Sequence, residues 1–279
     1  MRNLVASLSV SVLAFLGPAP VIASECPGNP DAVGVSRILE IDTSDGPRFG
    51  TLQYENTLDL EPHEVVLTFD DGPHPYNTQR VIDALKKECV KATFFPVGTM
   101  AKEYPEMLQK LADEGHTIGA HSWSHPNVAR MSHARATSQI ERGFKAIKAS
   151  VDTQVAPFFR FPGLNHSKAM KDYAVKRGFG IFSTDVSSDD WRGIGAATII
   201  RRTMSRLRFH KKGILLFHDT KFTTASAIPG LLHALKRGGY KIVHIVPKNG
   251  YTSLESADAR AAANLKPTLA VFTPSAGPN

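Results

Sequence analysis

The chain reads as one α/β domain built on a parallel sheet, and three observations predict it. Apolar, β-prone runs alternate with amphipathic helical stretches across residues 64–245. About seven such strands in one domain fit a closed barrel better than an open sheet. Polar, chemistry-bearing residues also follow strand after strand, as they do at the carboxyl mouth of a barrel.

The elements follow in order. Residues 24–60 form an irregular lead-in punctuated by Gly28, Pro30, Gly34, Gly46, Pro47 and Gly50, with room for a short strand at 37–41. Residues 65–69 are a buried strand stopped by Gly72-Pro73 and Pro75. Helix 78–88 carries Val81, Ile82 and Leu85 on one face. Then come strand 92–97, helix 105–114 ended by Gly115, strand 117–120, and helix 134–149 with Ile140, Phe144 and Ile147 at helical spacing. Strand 158–161, helix 167–177 before Gly178, strand 179–184, helix 196–207, strand 213–217, helix 225–237 before Gly238-Gly239, and strand 240–245 complete the alternation. Residues 251–279 read as a loose Ala-, Thr-, Pro- and Ser-containing tail.

Composition bounds the function. The 279 residues are 42% hydrophobic and 21% charged, enough to bury a core. The formal charge of +7 comes without a dense Lys/Arg run, so nucleic acid is not expected as a partner. Residues 1–23 read as a secretory signal: Arg2, an apolar stretch from Leu4 to Leu16, a Gly17-Pro18 break, and small or aliphatic residues up to Ala23. That stretch is shorter than the ~20 residues of a spanning helix, so no transmembrane anchor is expected. The product would be exported, periplasmic or secreted. Cys26 and Cys89 could then be disulfide-bonded or remain two free thiols; neither lies in a CxxC pattern that would suggest a metal site.

Asp70 and Asp71 end the first core strand, and two adjacent carboxylates need a neutralising partner there. His121 and His125 follow the strand at 117–120. Arg160 lies in the 158–161 strand. Asp185, Asp189, Asp190 and Trp191 follow 179–184, and His218 and Asp219 follow 213–217. A HxxxH pair alone is more often two ordinary surface histidines. With a carboxylate from another strand end it becomes the three-ligand open site of a hydrolytic metal, zinc by default, with iron, cobalt or nickel also suited.

The segments Thr68–Pro73, His121–His125, Arg160-Phe161-Pro162, Asp190-Trp191 and Leu216–Asp219 occur in this order. Together they resemble the five motifs of the polysaccharide deacetylase (NodB-homology, carbohydrate esterase family 4) family across roughly residues 64–245. The resemblance implies a distorted (β/α)7 barrel as a single catalytic domain at 61–250. It implies that Asp71, His121 and His125 bind one divalent ion. Asp70 would be the general base that takes a proton from metal-bound water, and Arg160 would hold Asp70 ionised. His218 would be the general acid, paired with Asp190. Trp191 and Leu216 would line the acetyl pocket, with Pro162 and Gly163 on the groove wall and a backbone N–H nearby for the oxyanion. Gly163 stands where the family usually has an aromatic residue, and Ser187 where it often has Asp, with Asp185 or Asp189 as stand-ins.

The expected activity is therefore hydrolysis of a C–N bond other than a peptide bond: removal of N-acetyl groups from a chitooligosaccharide or peptidoglycan glycan. The alternatives are an O-acetyl xylan-type esterase, a small-molecule amidase on the same fold, or an inactive carbohydrate-binding protein. Nothing in the sequence sets the oligomeric state.

Overall fold

The structure, a computed structural model, describes residues 26–254. The expected signal at 1–23 and most of the expected tail at 251–279 lie outside the described residues.

Among the described residues are ten strands and seven α-helices, alternating for the most part. The strands are β1 (Arg37–Ile41), β2 (Arg48–Phe49), β3 (Glu64–Asp70), β4 (Thr93–Phe95), β5 (Thr117–Ile118), β6 (Phe158–Phe159), β7 (Gly180–Phe182), β8 (Val186–Ser187), β9 (Gly213–His218) and β10 (Lys241–Pro247). The helices are α1 (Asn77–Lys87), α2 (Gly98–Glu103), α3 (Pro105–Asp113), α4 (His133–Ala149), α5 (Lys168–Lys176), α6 (Ala196–His210) and α7 (Phe222–Arg237). All strand pairings are parallel. β9 pairs β3, β3 pairs β4, and β4 pairs β5; a bridge from Ala120 to Phe159 leads to β6, which pairs β7. The chain then runs from β7 into β8, which pairs β9 and completes the ring. This is a distorted (β/α)7 barrel. β1 and β10 form an added edge that meets β3 only at Glu64 and Val65.

β3 shows how the barrel positions its chemistry. All seven of its residues are buried, and alternate side chains take opposite faces. Val65, Leu67 and Phe69 join the large apolar layer under the helices. Val66 joins the smaller cluster with Phe95, Phe158, Phe182 and Ile214. Thr68 and Asp70 continue the Val66 face, so that face runs from apolar to ionisable as it climbs. β9 runs in register, pairing Asp70 with His218.

Three short elements escape the sequence pattern. α2 has six residues, and β2 and β8 two each, too few to show a period. The lead-in is less irregular than its punctuation suggests: it contributes β1 and β2, because β10 and β7 offer free edges. Cys26 and Cys89 are joined by a disulfide that ties the start of the lead-in to the residues just after α1. No helix among the described residues is long and apolar enough to cross a membrane.

Candidate active site

Asp70, Asp71, His121, His125, Gly163, Leu216, Trp191 and His218 line one cavity of about 760 Å³ at the carboxyl ends of the strands. Five separate stretches of sequence meet there because each follows a strand of the same ring.

Asp71, His121 and His125 each offer a ligand atom, all within 4.8 Å of one another. Asp71 Oδ1 lies 3.7 Å from His121 Nε2 and 3.5 Å from His125 Nε2. These gaps are too long for hydrogen bonds and close to the ~3.4 Å edge of a tetrahedron with ~2.1 Å bonds. Buried His121 donates from Nδ1 to the Arg160 carbonyl at 2.7 Å, which leaves the Nε2 lone pair facing the acids. Burial pushes its imidazole down to about 3, so the ring is neutral. Asp71 Oδ1 is buried with no hydrogen-bond partner. An orphaned carboxylate oxygen between two imidazole lone pairs fits a divalent cation. The backbone is left-handed at Asp71, Ser122 and His125, an uncommon conformation outside glycine that is characteristic of functional sites.

Distance to His121 does not separate the two acids, since Asp70 Oδ2 is also 3.7 Å from its Nε2. Arg160 separates them. Fully buried, it donates from one terminal nitrogen to Asp70 Oδ1 at 2.7 Å and to Thr68 Oγ1 at 2.9 Å. Its other N–H groups reach the carbonyls of Phe182 and Ser183, and its plane lies 4.4 Å from the Phe95 ring centroid. Burial pushes the Asp70 carboxyl above its usual range, and the Arg160 charge opposes that rise. Desolvation is the larger of the two influences, and Arg160 acts on Asp70 in the expected direction.

His218 donates from Nδ1 to Asp190 Oδ1 at 2.7 Å. Asp190 Oδ2 accepts from the His218 backbone N–H at 2.7 Å and from Thr224 Oγ1 at 2.6 Å. Burial alone would lower the imidazole, but the Asp190 hydrogen bond and charge outweigh it and raise His218 to about 9. The same bonds hold Asp190 below its usual range despite its burial.

Other expected residues sort differently. Pro162 is buried at the start of a 3-10 turn and does not line the cavity; exposed Gly163 (φ 57°) and Leu164 do. Trp191 is 55% exposed, with the Arg192 guanidinium 4.4 Å from its ring centroid. Neither stand-in for the acid missing at Ser187 is free. Asp185 is held by Thr51, Thr57 and Ile214, and Asp189 is paired with Arg202 at 3.0 Å and Arg206 at 2.8 Å. Trp123, between the two histidines and given no role above, lies under Arg142 and does not line the cavity.

Sequence reasoning missed Thr224 and Leu52, and it named Asp219 without giving it a role. Burial pushes Asp219 to about 7; it accepts from the Thr78 hydroxyl and so ties β9 to α1. Gly72 has no room for a side chain beside it: a Cβ there would lie 2.1 Å from Asp219 Oδ2. The signal for Asp219 was its position beside His218; Thr224 and Leu52 carried none.

The fold and the site define a class: an α/β barrel with a His–His–Asp centre, a buried Asp–Arg pair and an Asp-held histidine at its mouth. The polysaccharide deacetylase family model matches residues 58–181. A peptidoglycan-N-acetylglucosamine deacetylase of Bacillus cereus is 32% identical over 196 residues, covering 69% of this chain and 70% of that protein. The peptidoglycan-N-acetylmuramic acid deacetylase PdaC of Bacillus subtilis is 33% identical over 201 residues, covering 70% of this chain and 40% of that protein. The chain spans about two fifths of the length of the first curated relatives it matches. Among solved structures, a Bdellovibrio bacteriovorus peptidoglycan deacetylase superposes with a TM-score of 0.70 at 31% identity, covering 78% of this chain and 61% of that one. The chain belongs to the polysaccharide deacetylase family.

Proposed function

We propose that this protein is an exported, metal-dependent deacetylase that hydrolyses N-acetyl groups on the amino sugars of a glycan, of peptidoglycan or chitooligosaccharide type. The observation that carries the reading is the convergence, in one cavity, of three ligand-bearing side chains with two differently tuned proton carriers. The names of the relatives point to N-acetylated glycans. The disulfide supports an oxidising compartment, in keeping with the signal at 1–23.

Asp71, His121 and His125 would hold a divalent ion, zinc by default, which supplies Lewis-acid polarisation of the amide carbonyl and acidifies a water. Asp70 acts as general base. Arg160 occupies its Oδ1, so Oδ2 is the oxygen left to accept the water's proton. Its raised range makes it a better base than an ordinary carboxylate. His218 acts as general acid: Asp190 holds its Nδ1, so Nε2 donates to the leaving nitrogen. Base and acid thus sit in environments that push their affinities for protons to complementary tasks. Leu216 and Trp191 supply the apolar lining for the acetyl methyl.

Acetate release from N-acetylglucosamine oligomers, peptidoglycan and acetylated xylan, with and without chelator, tests this. Chelator-sensitive release from the first two is expected. Release from xylan alone would favour the O-esterase, and binding without release a carbohydrate-binding protein.

A further inference from the structure

Residues 50–57 lie on the barrel mouth, although they precede the stretch that matches the family model. They are anchored at both ends. The Leu52 N–H donates to the Thr184 carbonyl at 3.0 Å. Thr51 donates to Asp185 Oδ1 from both its N–H and its hydroxyl at 2.8 Å, and the Thr57 hydroxyl donates to Oδ2 at 2.5 Å. Ile214 N–H adds a fourth donor at 2.7 Å. The buried Asp185 carboxylate is thereby satisfied at both oxygens, and it positions this loop. Gly50, at φ +106°, allows the approach, since a Cβ there would lie 2.5 Å from Thr184 N. On the far side Gln53 Nε2 donates to the Leu164 carbonyl at 2.6 Å, and the Tyr54 hydroxyl bonds His166 at 3.1 Å.

Leu52 rides on this fixed backbone. It is 59% exposed and lines the cavity that holds Asp70, Asp71 and His218, together with Gly163 and Leu164. An exposed leucine is ordinary on a surface. Here it stands in the wall of the site, next to the turn where Gly163 contributes no side chain. We propose that Leu52 and Leu164 form an apolar wall that packs against the C–H face of a pyranose ring adjoining the acetylated sugar. Leu52 is then a specificity-determining residue that favours glycan oligomers over a monosaccharide. The inference rests on the glycan-deacetylase reading above.

Calorimetric titration with the N-acetylglucosamine tetramer and monomer tests it, in the Asp70→Asn background so that ligand is not consumed. Leu52→Ala should weaken tetramer binding about five- to tenfold, while Leu52→Met stays within about twofold. Ile38→Ala removes an equally exposed side chain on β1 that does not line the cavity, and should leave tetramer binding unchanged. Tetramer affinity that is equal with and without Leu52, or no tetramer binding by the parent protein, overturns the wall. Leu52-dependent tetramer binding supports it even if the wild-type protein releases no acetate, a result that would refute the deacetylase reading alone.

Discussion

Asp190→Asn removes one charge from the His218 pair while keeping its shape. In the folded protein Asp190 accepts three hydrogen bonds, two from His218 and one from Thr224, and it is the main reason His218 stands at about 9. Without that charge, burial no longer has an opponent of the same size, and the imidazole returns to about 6.5. At pH 8 the protonated fraction then falls from ~90% to ~3%, a loss of about thirtyfold in a step that needs the proton. At pH 6 both proteins are mostly protonated, and the same loss is less than about twofold. The assay is kcat/KM against pH: the basic limb of the variant should move down by about 2.5 pH units while the acidic limb stays. A basic limb that coincides with wild type, or a loss equal at all pH values, would refute the general-acid assignment. Linkage adds a second readout. The folded value of His218 lies above its ordinary one, so its contribution to stability is complete below about pH 6.5 and is lost as pH rises through about 9. The full contribution is about 3 kcal/mol, and Asp190→Asn should flatten that pH dependence in denaturant titrations.

Three other outcomes are expected. Asp71→Ala and His125→Ala should abolish stoichiometric metal by elemental analysis, whereas Asp70→Asn keeps the metal and stops turnover; full occupancy in both ligand variants would sink the metal assignment. Gly72→Ala should destabilise the protein by about 1–3 kcal/mol in denaturant, because the added methyl meets a buried carboxylate tied to Thr78. Asp219→Ala should relieve part of that cost in the double variant, and strict additivity would contradict the clash. Removing the Cys26–Cys89 bridge by Cys26→Ser frees a loop with a sequence separation of 63, worth about 4 kcal/mol on chain-entropy grounds, so the thermal midpoint should fall by several degrees. An unchanged midpoint would mean that the lead-in is held by its other contacts.

Much of the fold was legible because its signals are local. Strand–helix alternation, Gly and Pro stops, and polar residues just after strands all lie within about a dozen residues of one another, and parallel barrels turn such local signals into one converging face. The adjacent acids Asp70 and Asp71, and the His121/His125 pair, belong to this legible part. So does the need for a neutralising partner, since two neighbouring carboxylates at a strand end repel one another whatever surrounds them.

Closure of the ring settled the rest, through pairings that no local pattern carries. Arg160 lies 90 residues from Asp70, and in a fully buried position it binds Asp70 Oδ1. Asp190 and His218 are 28 residues apart and meet because β8 and β9 are neighbours. Asp185 resembled a free acid of the site until Thr51, Thr57 and Ile214 took up both its oxygens. Pro162 turned inward and Leu52 turned toward the cavity for the same reason: which face a short turn presents depends on what it packs against, and residue type alone does not specify that neighbour. The sequence thus holds the chemistry proposed for the mouth of the barrel, while the different surroundings of Asp70, bound by Arg160, and Asp71, facing His125, follow from how the ring closes.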